Sequence, residues 1–213
     1  MVETGIEGVC YWPAYFDASA QRALVGAVSA VVDAAPFFTP RMPRTGKPFS
    51  VRMTNCGPLG WVSDKTSYRY QPCHPETGAP WPPMPDALLA LWDDVAAVGA
   101  PAEACLINHY PAGARMGLHQ DRDEAEFAAP VVSVSLGDSA VFRLGGTVRG
   151  GKTTSLRLKS GDVIVFGGPA RLIYHGIDRV LSGSSTLLAG GGRYNLTLRR
   201  VTPLTGNAAK EAP

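Results

Sequence analysis

With 213 residues the chain can bury one sizeable core, and two full domains would be cramped. A hydrophobic fraction of 45% against 18% charged excludes a disordered or low-complexity chain, and 24 Gly with 18 Pro predict many turns and hence a β-rich body. A formal net charge of +2 confines any basic surface to a local patch, no apolar run reaches the length of a membrane span, and the start, MVETGIEGVCYW, lacks the basic and apolar regions of a signal peptide.

The first element expected is a helix over residues 19–34. Leu24, Val28, Val31 and Val32 form one apolar stripe there, and Asp17 or Ser19 is a candidate N-cap. Residues 49–70, rich in aromatic and polar side chains and Gly, suggest strands with an exposed connecting turn. The segment 72–85, PCHPETGAPWPPMP, holds six prolines and must be mostly loop, because Pro supplies no N–H to a helix or ladder. A second helix is expected from about Asp86 to Val98, with Pro85 at its entrance and Leu88, Leu91, Trp92 and Val95 on one face.

From residue 104 the pattern changes to short strands, at 104–110, 116–120, 131–136, 140–144, 155–158, 162–166, 171–175 and 193–201. Gly-rich turn signals at 145–146, 150–151, 160–162 and 167–169 separate them. Many short, closely spaced strands indicate a mainly β fold of the jelly-roll type with the helices packed outside (α+β). No clean linker divides the chain, so residues 1–213 are expected to form a single domain, with a polar, frayed tail at 202–213. Cys10, Cys56, Cys73 and Cys105 show no CxxC spacing and are expected to be free thiols of a cytoplasmic protein rather than zinc ligands.

His119-Gln120-Asp121 is the central chemical feature. On a strand, residues i and i+2 project to the same face, so an imidazole and a carboxylate stand side by side. His175 ends the strand-like run RLIYH, and a jelly roll can bring it to the other two. Two His and one carboxylate leave three open positions on an iron, which suits non-haem Fe(II) oxygen chemistry. By itself His-x-Asp is weak, since most such pairs are surface or turn residues. His74, in the proline loop, and His109, on the opposite strand face, are taken as non-ligands.

The last strand, Arg193-Tyr194-Asn195-Leu196-Thr197-Leu198-Arg199, turns Tyr194, Leu196 and Leu198 one way and two guanidiniums, an amide and a hydroxyl the other. An ordinary amphipathic strand with a solvated charged face explains that pattern equally well. A dicarboxylate bound beside a metal would also need such a surface, with arginine as a bidentate partner. Asn108 and Tyr110, another i, i+2 pair, offer neutral hydrogen bonds to the same ligand.

With these residues assembled, the chain resembles the bacterial AlkB family. The resemblance runs from about residue 49 to 200 and rests on MTNCGPLGW (53–61), ACLINHYPAGARMGLHQDRDE (104–124), PVVSVSLG (130–137), YHGI (174–177) and RYNLTLR (193–199), in family order and spacing. It implies a double-stranded β-helix core at about 104–201, preceded in about 1–103 by helices and an N-terminal nucleotide-recognition lid. It implies Fe(II) held by His119, Asp121 and His175. It implies 2-oxoglutarate held by Asn108, Tyr110, Arg193, Asn195 and Arg199, with Arg199 on the far carboxylate and Arg193 near the iron-chelating end. Trp61, Tyr68, Asp123 and Arg149 match positions that touch the damaged nucleotide, and Tyr70, Met53 and Ser133 line the same pocket. Phe166, Pro58 and Gly192 depart from the family pattern, where a tryptophan, a histidine and an acidic residue are usual; Arg115 and Arg122 replace lysines.

The activity implied is oxidative demethylation of N1-methyladenine and N3-methylcytosine in DNA, and in RNA, consuming O2 and 2-oxoglutarate and releasing formaldehyde, succinate and CO2. Methylation of the Watson–Crick edge already breaks pairing, so a damaged base is cheaper to flip than a sound one. Both lesions are cations, and an aromatic face favours a cation by about 0.5–2 kcal/mol. Trp61 and His119 are candidates to sandwich the ring, and Arg52, Lys65, Arg115 and Arg122 are candidates for phosphate contacts, each equally readable as a solvated charge. A monomer in contact with no membrane is expected. Two alternatives stand beside this one: an oxygenase of the same class acting on tRNA, other RNA or a methylated protein, and a non-catalytic metal-binding jelly roll. The second gives no reason for two arginines beside a metal.

Overall fold

Strands with one apolar and one polar or second apolar face dominate the computed structural model, which describes residues 1–204. In chain order the elements are β1 (Val2–Glu3), β2 (Val9–Trp12), α1 (Ala18–Ala34), β3 (Arg52–Cys56), β4 (Gly60–Ser63), β5 (Tyr68–Gln71), α2 (Asp86–Val95), β6 (Ala104–Tyr110), β7 (Met116–His119), β8 (Val131–Gly137), β9 (Ala140–Leu144), β10 (Thr154–Leu158), β11 (Val163–Phe166), β12 (His175–Val180) and β13 (Arg193–Arg199). A seven-stranded sheet has the order β1-β2-β11-β8-β13-β6-β3, a four-stranded sheet the order β10-β9-β12-β7, and β4 pairs with β5 as a separate ribbon. Neighbours in all three are antiparallel, the double-sheet arrangement of a jelly roll.

Period-2 alternation assigns each strand's side chains to one of two cores. Leu106 and Tyr110 of β6 pack toward the smaller sheet with Phe142, Leu144 and Ile177, whereas Cys105 and Ile107 pack on the outer face. That outer face is covered by the helices: Leu24, Val28 and Val31 of α1 and Leu88, Leu91 and Trp92 of α2 meet Val132, Val134, Leu196 and Leu198. Each such fully buried aliphatic side chain contributes roughly 1.5–3 kcal/mol of transfer free energy. Asp17 caps α1, its carboxylate accepting from the Ala20 amide at 2.8 Å.

Several boundaries differ from expectation. Helix α2 stops at Val95 rather than Val98, because Ala97 takes a left-handed φ of 53° and the Trp92 indole donates to the Ala100 carbonyl at 2.9 Å. The strand expected at 171–175 is absent. Gly168–Ala170 forms a short 3-10 turn, the chain continues through a turn, and β12 begins at His175 instead of ending there. Strands β1 and β2, unforeseen, extend the larger sheet beyond β11. Residues 202–204 are held rather than frayed: Thr202 Oγ1 donates to Glu103 at 2.6 Å and the Leu204 amide to Glu126 at 2.8 Å. The rest of the expected tail lies outside the described residues.

Candidate active site

A cavity of about 850 Å³ opens between the two sheets and runs out under the β4–β5 ribbon. Its floor is β13, an interior strand of the larger sheet between β8 and β6. Because Leu196 and Leu198 face the helices, Arg193, Asn195, Thr197 and Arg199 face inward, and apart from the half-buried Asn195 they are buried: Arg193 is 0% exposed and Arg199 5%. An amphipathic strand with a solvated charged face is thereby excluded. Registration with the flanking strands sets Asn108 opposite Asn195 and Tyr110 opposite Arg193 on one side, and Ser135 opposite Asn195 on the other.

His119, Asp121 and His175 come together at the inner end. His119 closes β7, and its register partner across the smaller sheet is His175, the first residue of β12. The ring centroids are 4.5 Å apart. Asp121 reaches both, with Oδ1 3.7 Å from His119 Nε2 and Oδ2 3.9 Å from His175 Nε2. One ligand atom from each residue lies within 4.8 Å of the others, a spacing that can hold one metal ion. The Nδ1 atoms of His119 and His175 each sit 3.0 Å from a carbonyl, of Gly117 and Ile173. A carbonyl only accepts, so Nδ1 carries the proton and Nε2 keeps its lone pair free for a cation. Burial, helped by the neighbouring His119, pushes the His175 imidazole down to about 4, which keeps it neutral. Burial would raise the Asp121 carboxyl, but the charge of Arg199, the two neighbouring imidazoles and the Arg199 hydrogen bond together hold the group below the usual carboxylate range.

The two arginines divide the floor unequally. Arg199 donates through Nη2 (2.7 Å) and Nε (3.1 Å) to Asp121 Oδ2, so it is the arginine beside the triad. Arg193 lies farther along the strand and donates through Nη2 to Ser135 Oγ at 2.7 Å. This reverses the near and far order expected from the sequence, since Arg199 is committed to the triad's own carboxylate. Of the buried polar atoms without a protein partner among the described residues, three lie on this wall, Arg199 Nη1, Arg193 Nε and Asn108 Oδ1. Buried polar groups are rarely left so, and their gathering along one cavity wall fits a polar, anionic guest. Burial, against the opposing charge of Arg193, raises the Tyr110 phenol, which stays a neutral donor. Burial pulls Arg193 down only to about 10, so it stays charged.

The outer end is aromatic. Trp61 of β4 stacks on Tyr68 of β5, centroids 5.5 Å apart and planes 18° from parallel, and its indole N–H donates to Asp123 at 2.8 Å. Gly60 lets the turn pass this close to the proline loop, since a Cβ there would meet the Trp81 ring at 2.5 Å. Tyr70 donates to Glu124. Met53 and Arg149 also line the cavity, with Arg149 5.8 Å from the Tyr174 ring. Ser133 lines the same cavity at its polar floor, accepting from Asn195 at 2.8 Å. Of the four candidate phosphate contacts, Arg115 and Arg122 are exposed at the cavity mouth. Arg52 faces the other way, 5.4 Å from the Phe37 ring, because Met53 takes the inward position on β3. Lys65 is exposed in the β4–β5 turn, away from the cavity wall. Phe166 packs 4.6 Å from the His175 ring. Gly192 adopts φ +83° beneath the Tyr110 carbonyl, 2.7 Å from where a Cβ would lie, which leaves no room for the acidic residue of the family pattern. Two buried residues were missed, Glu124 and Arg171. Glu124 had a signal in the acidic run after Asp121; Arg171 had none.

The 2OG-Fe(II) oxygenase superfamily model matches residues 8–199. The chain is 58% identical over 197 residues to the alpha-ketoglutarate-dependent dioxygenase AlkB homolog of Caulobacter vibrioides, covering 92% of this chain and 89% of that protein. It is 43% identical over 189 residues to the alpha-ketoglutarate-dependent dioxygenase AlkB of Escherichia coli K12, covering 87% of each. The solved structure of OsALKBH1 superposes with a TM-score of 0.76 at 29% identity, over 91% of this chain and 98% of that one. With a His-Asp-His cluster at one end of its cavity and a buried arginine floor beside it, the chain belongs to the AlkB family of the 2OG-Fe(II) oxygenase superfamily.

Proposed function

We propose that this chain demethylates N1-methyladenine and N3-methylcytosine in DNA, and in RNA, as a cytoplasmic monomer using Fe(II), 2-oxoglutarate and O2. The observation that carries this reading is one cavity joining three parts: a two-His, one-carboxylate cluster, a floor of partnerless arginine donors, and an aromatic ribbon at the mouth. Balanced, a cationic N-methyl base, 2-oxoglutarate and O2 give the neutral base, a proton, formaldehyde, succinate and CO2. When bound, the iron with 2-oxoglutarate and O2 supplies the oxidising equivalents that hydroxylate the N-methyl carbon, whose adduct falls apart to formaldehyde.

The chain's residues then have distinct tasks. His119, Asp121 and His175 would hold the iron, with the Nδ1 protons of the two histidines and the Arg199 pair on Asp121 fixing each ligand's orientation. Arg193 clamps the distal carboxylate of 2-oxoglutarate, with the Tyr110 hydroxyl and the Asn195 amide alongside. Arg199, through Nη1, and Asn108 serve the end nearer the triad. Asn108 presents an amide oxygen to the cavity, and a simple rotation of the amide presents its donor instead. Trp61 stacks on the flipped base, adding roughly 1–3 kcal/mol, with Tyr68, Tyr70, Met53 and Arg149 around it. Asp123 accepts from the exocyclic amine, and Arg115 and Arg122 meet flanking phosphates. The ribbon excludes water from the reacting carbon. Free cysteines support a reducing compartment, and no helix among the described residues is long and apolar enough to cross a membrane.

The test incubates the iron-loaded protein with 2-oxoglutarate and a methylated oligonucleotide, reading succinate, formaldehyde and the oligonucleotide mass. Equimolar succinate and formaldehyde with a loss of one methylene mass is the expected result. Succinate without base repair would move the substrate to another class, and no succinate under any condition would defeat the enzymatic reading.

A further inference from the structure

We propose that Glu124 is a positioning residue that couples the aromatic ribbon to the cosubstrate end of the cavity, an inference that rests on the function proposed above. Glu124 follows Asp121 by three residues, is buried, and has no part in the reaction as written. Its carboxylate is met from three directions. Tyr70 of β5 donates to Oε1. Arg199 Nε of β13 lies 3.4 Å from the same oxygen. Arg171 Nη2, from the turn before β12, donates to Oε2 at 3.1 Å. Arg171 also donates to the carbonyls of Asp121 at 2.7 Å and Ala129 at 2.9 Å, so one buried guanidinium pins the segment that carries both acids.

The arrangement makes Glu124 the junction between two regions that otherwise belong to different sheets. A buried carboxylate is stable as an anion only while donors and cations surround it, so its three partners are not independent of one another. Arg199 places Nε and Nη2 on Asp121, leaving Nη1 as its free donor. Glu124 sits beside Asp121 on the Nε edge, so its charge biases the plane of that guanidinium and with it the direction of Nη1. Any shift of Tyr70 changes what Glu124 shares with Arg199. The Trp61 bond to Asp123, by contrast, ends on an exposed carboxylate. A nucleic acid that settles the ribbon through Tyr70 therefore settles the cosubstrate arginine, and linkage requires the converse by the same factor.

Calorimetric titration of 2-oxoglutarate into the full chain loaded with Mn(II), without and with an N1-methyladenine oligonucleotide, tests this in the absence of turnover. In the wild-type protein the oligonucleotide is expected to tighten 2-oxoglutarate by about fivefold or more, the low end of ordinary coupling. Tyr70→Phe removes only the hydroxyl donor; with the oligonucleotide held at saturation, as fixed by its own titration against this variant, the tightening should be abolished, a change within the span of one neutral hydrogen bond. Glu124→Gln keeps the shape and an acceptor for Tyr70 but loses the charge, and should weaken 2-oxoglutarate about tenfold even without oligonucleotide, the loss of one charge-assisted contact. Should that variant not fold, Tyr70→Phe decides alone. Wild-type tightening in Tyr70→Phe, or 2-oxoglutarate binding indifferent to the oligonucleotide in the wild type, would overturn the coupling and leave the proposed function standing. Wild-type protein that binds no 2-oxoglutarate would overturn both.

Discussion

The floor and the ribbon of the same cavity are built in opposite ways. Strand β13, which carries Arg193 to Arg199, is paired on both sides, to β6 and β8, in the interior of a seven-stranded sheet. Its inward polar side chains are tied to neighbouring segments, Arg193 to Ser135, Asn195 to Ser133 and Arg199 to Asp121. The β4–β5 ribbon belongs to neither sheet, and its bonds to the acids after Asp121 come from two side chains, Trp61 and Tyr70. A fixed floor suits a cosubstrate that never changes, whose recognition depends on placing guanidiniums within a fraction of an ångström. A ribbon that stands outside both sheets can vary in shape without disturbing the oxidation chemistry.

The largest break in this comparison is expected from Asp121→Ala. It removes a candidate iron ligand and also strands Arg199, whose two donors end on that carboxylate. Turnover should fall to background and Mn(II) or Co(II) binding should be sharply weakened in a calorimetric titration. Breaking a buried pair typically destabilises by about 3–5 kcal/mol, so the melting temperature should drop as well. A variant with intact activity would remove Asp121, and the triad with it, from the chemistry.

The arginines sharpen the comparison within the floor. Lysine keeps the charge and loses the planar fork. Arg193→Lys should raise KM for 2-oxoglutarate by roughly 10–100-fold, the worth of a charge-assisted hydrogen bond of about 1.5–3 kcal/mol, with metal affinity unchanged. Arg199→Lys should weaken both 2-oxoglutarate and metal, because it also orients Asp121. The same response from both variants would show that the near and far assignment is wrong. On the ribbon, Trp61→Ala should raise KM for the methylated oligonucleotide by roughly 5–150-fold, from about 1–3 kcal/mol of lost stacking, and leave KM for 2-oxoglutarate alone.

How much of this was legible in the sequence follows the same division. Strands β6 and β9 match expectation residue for residue, because apolar alternation bounded by turn residues is a local signal. Alternation also shows which residues of RYNLTLR share a face. It cannot show that this face lies between two sheets, nor which arginine ends beside Asp121, since both are questions of long-range packing. RLIYH looks like a strand from its apolar run, but Pro169 and the long-range bonds of Arg171 make 171–174 a turn and put His175 at the start of β12. Strand β2, VCYW, is too short to announce itself before β11 is placed beside it. Glu124 stood in view within HQDRDE, yet its importance lies in Tyr70, Arg171 and Arg199, all distant in sequence.

The smallest effect is expected from Asp123→Asn, and it separates charge from hydrogen bonding at the mouth. In the structure the Asp123 carboxylate is exposed and accepts the Trp61 indole N–H at 2.8 Å. An asparagine oxygen accepts the same bond, so the ribbon should stay anchored and the melting temperature should not move. The same oxygen still accepts from the exocyclic amine of an adenine or cytosine. What is lost is one negative charge beside the base, worth about 0.2–1 kcal/mol for an exposed pair and screened by salt. N1-methyladenine and N3-methylcytosine carry a positive charge that this carboxylate attracts; N1-methylguanine and N3-methylthymine do not. kcat/KM on the two cationic lesions should therefore fall by about 1.5–5-fold at low salt, while the two neutral lesions hold steady. Oligonucleotides of one sequence, compared at one fixed salt concentration, isolate this from the phosphate contacts, which affect all four lesions alike. Equal losses on cationic and neutral lesions would make Asp123 an anchor for Trp61 and nothing more, and no loss on any of them would place it outside the recognition site.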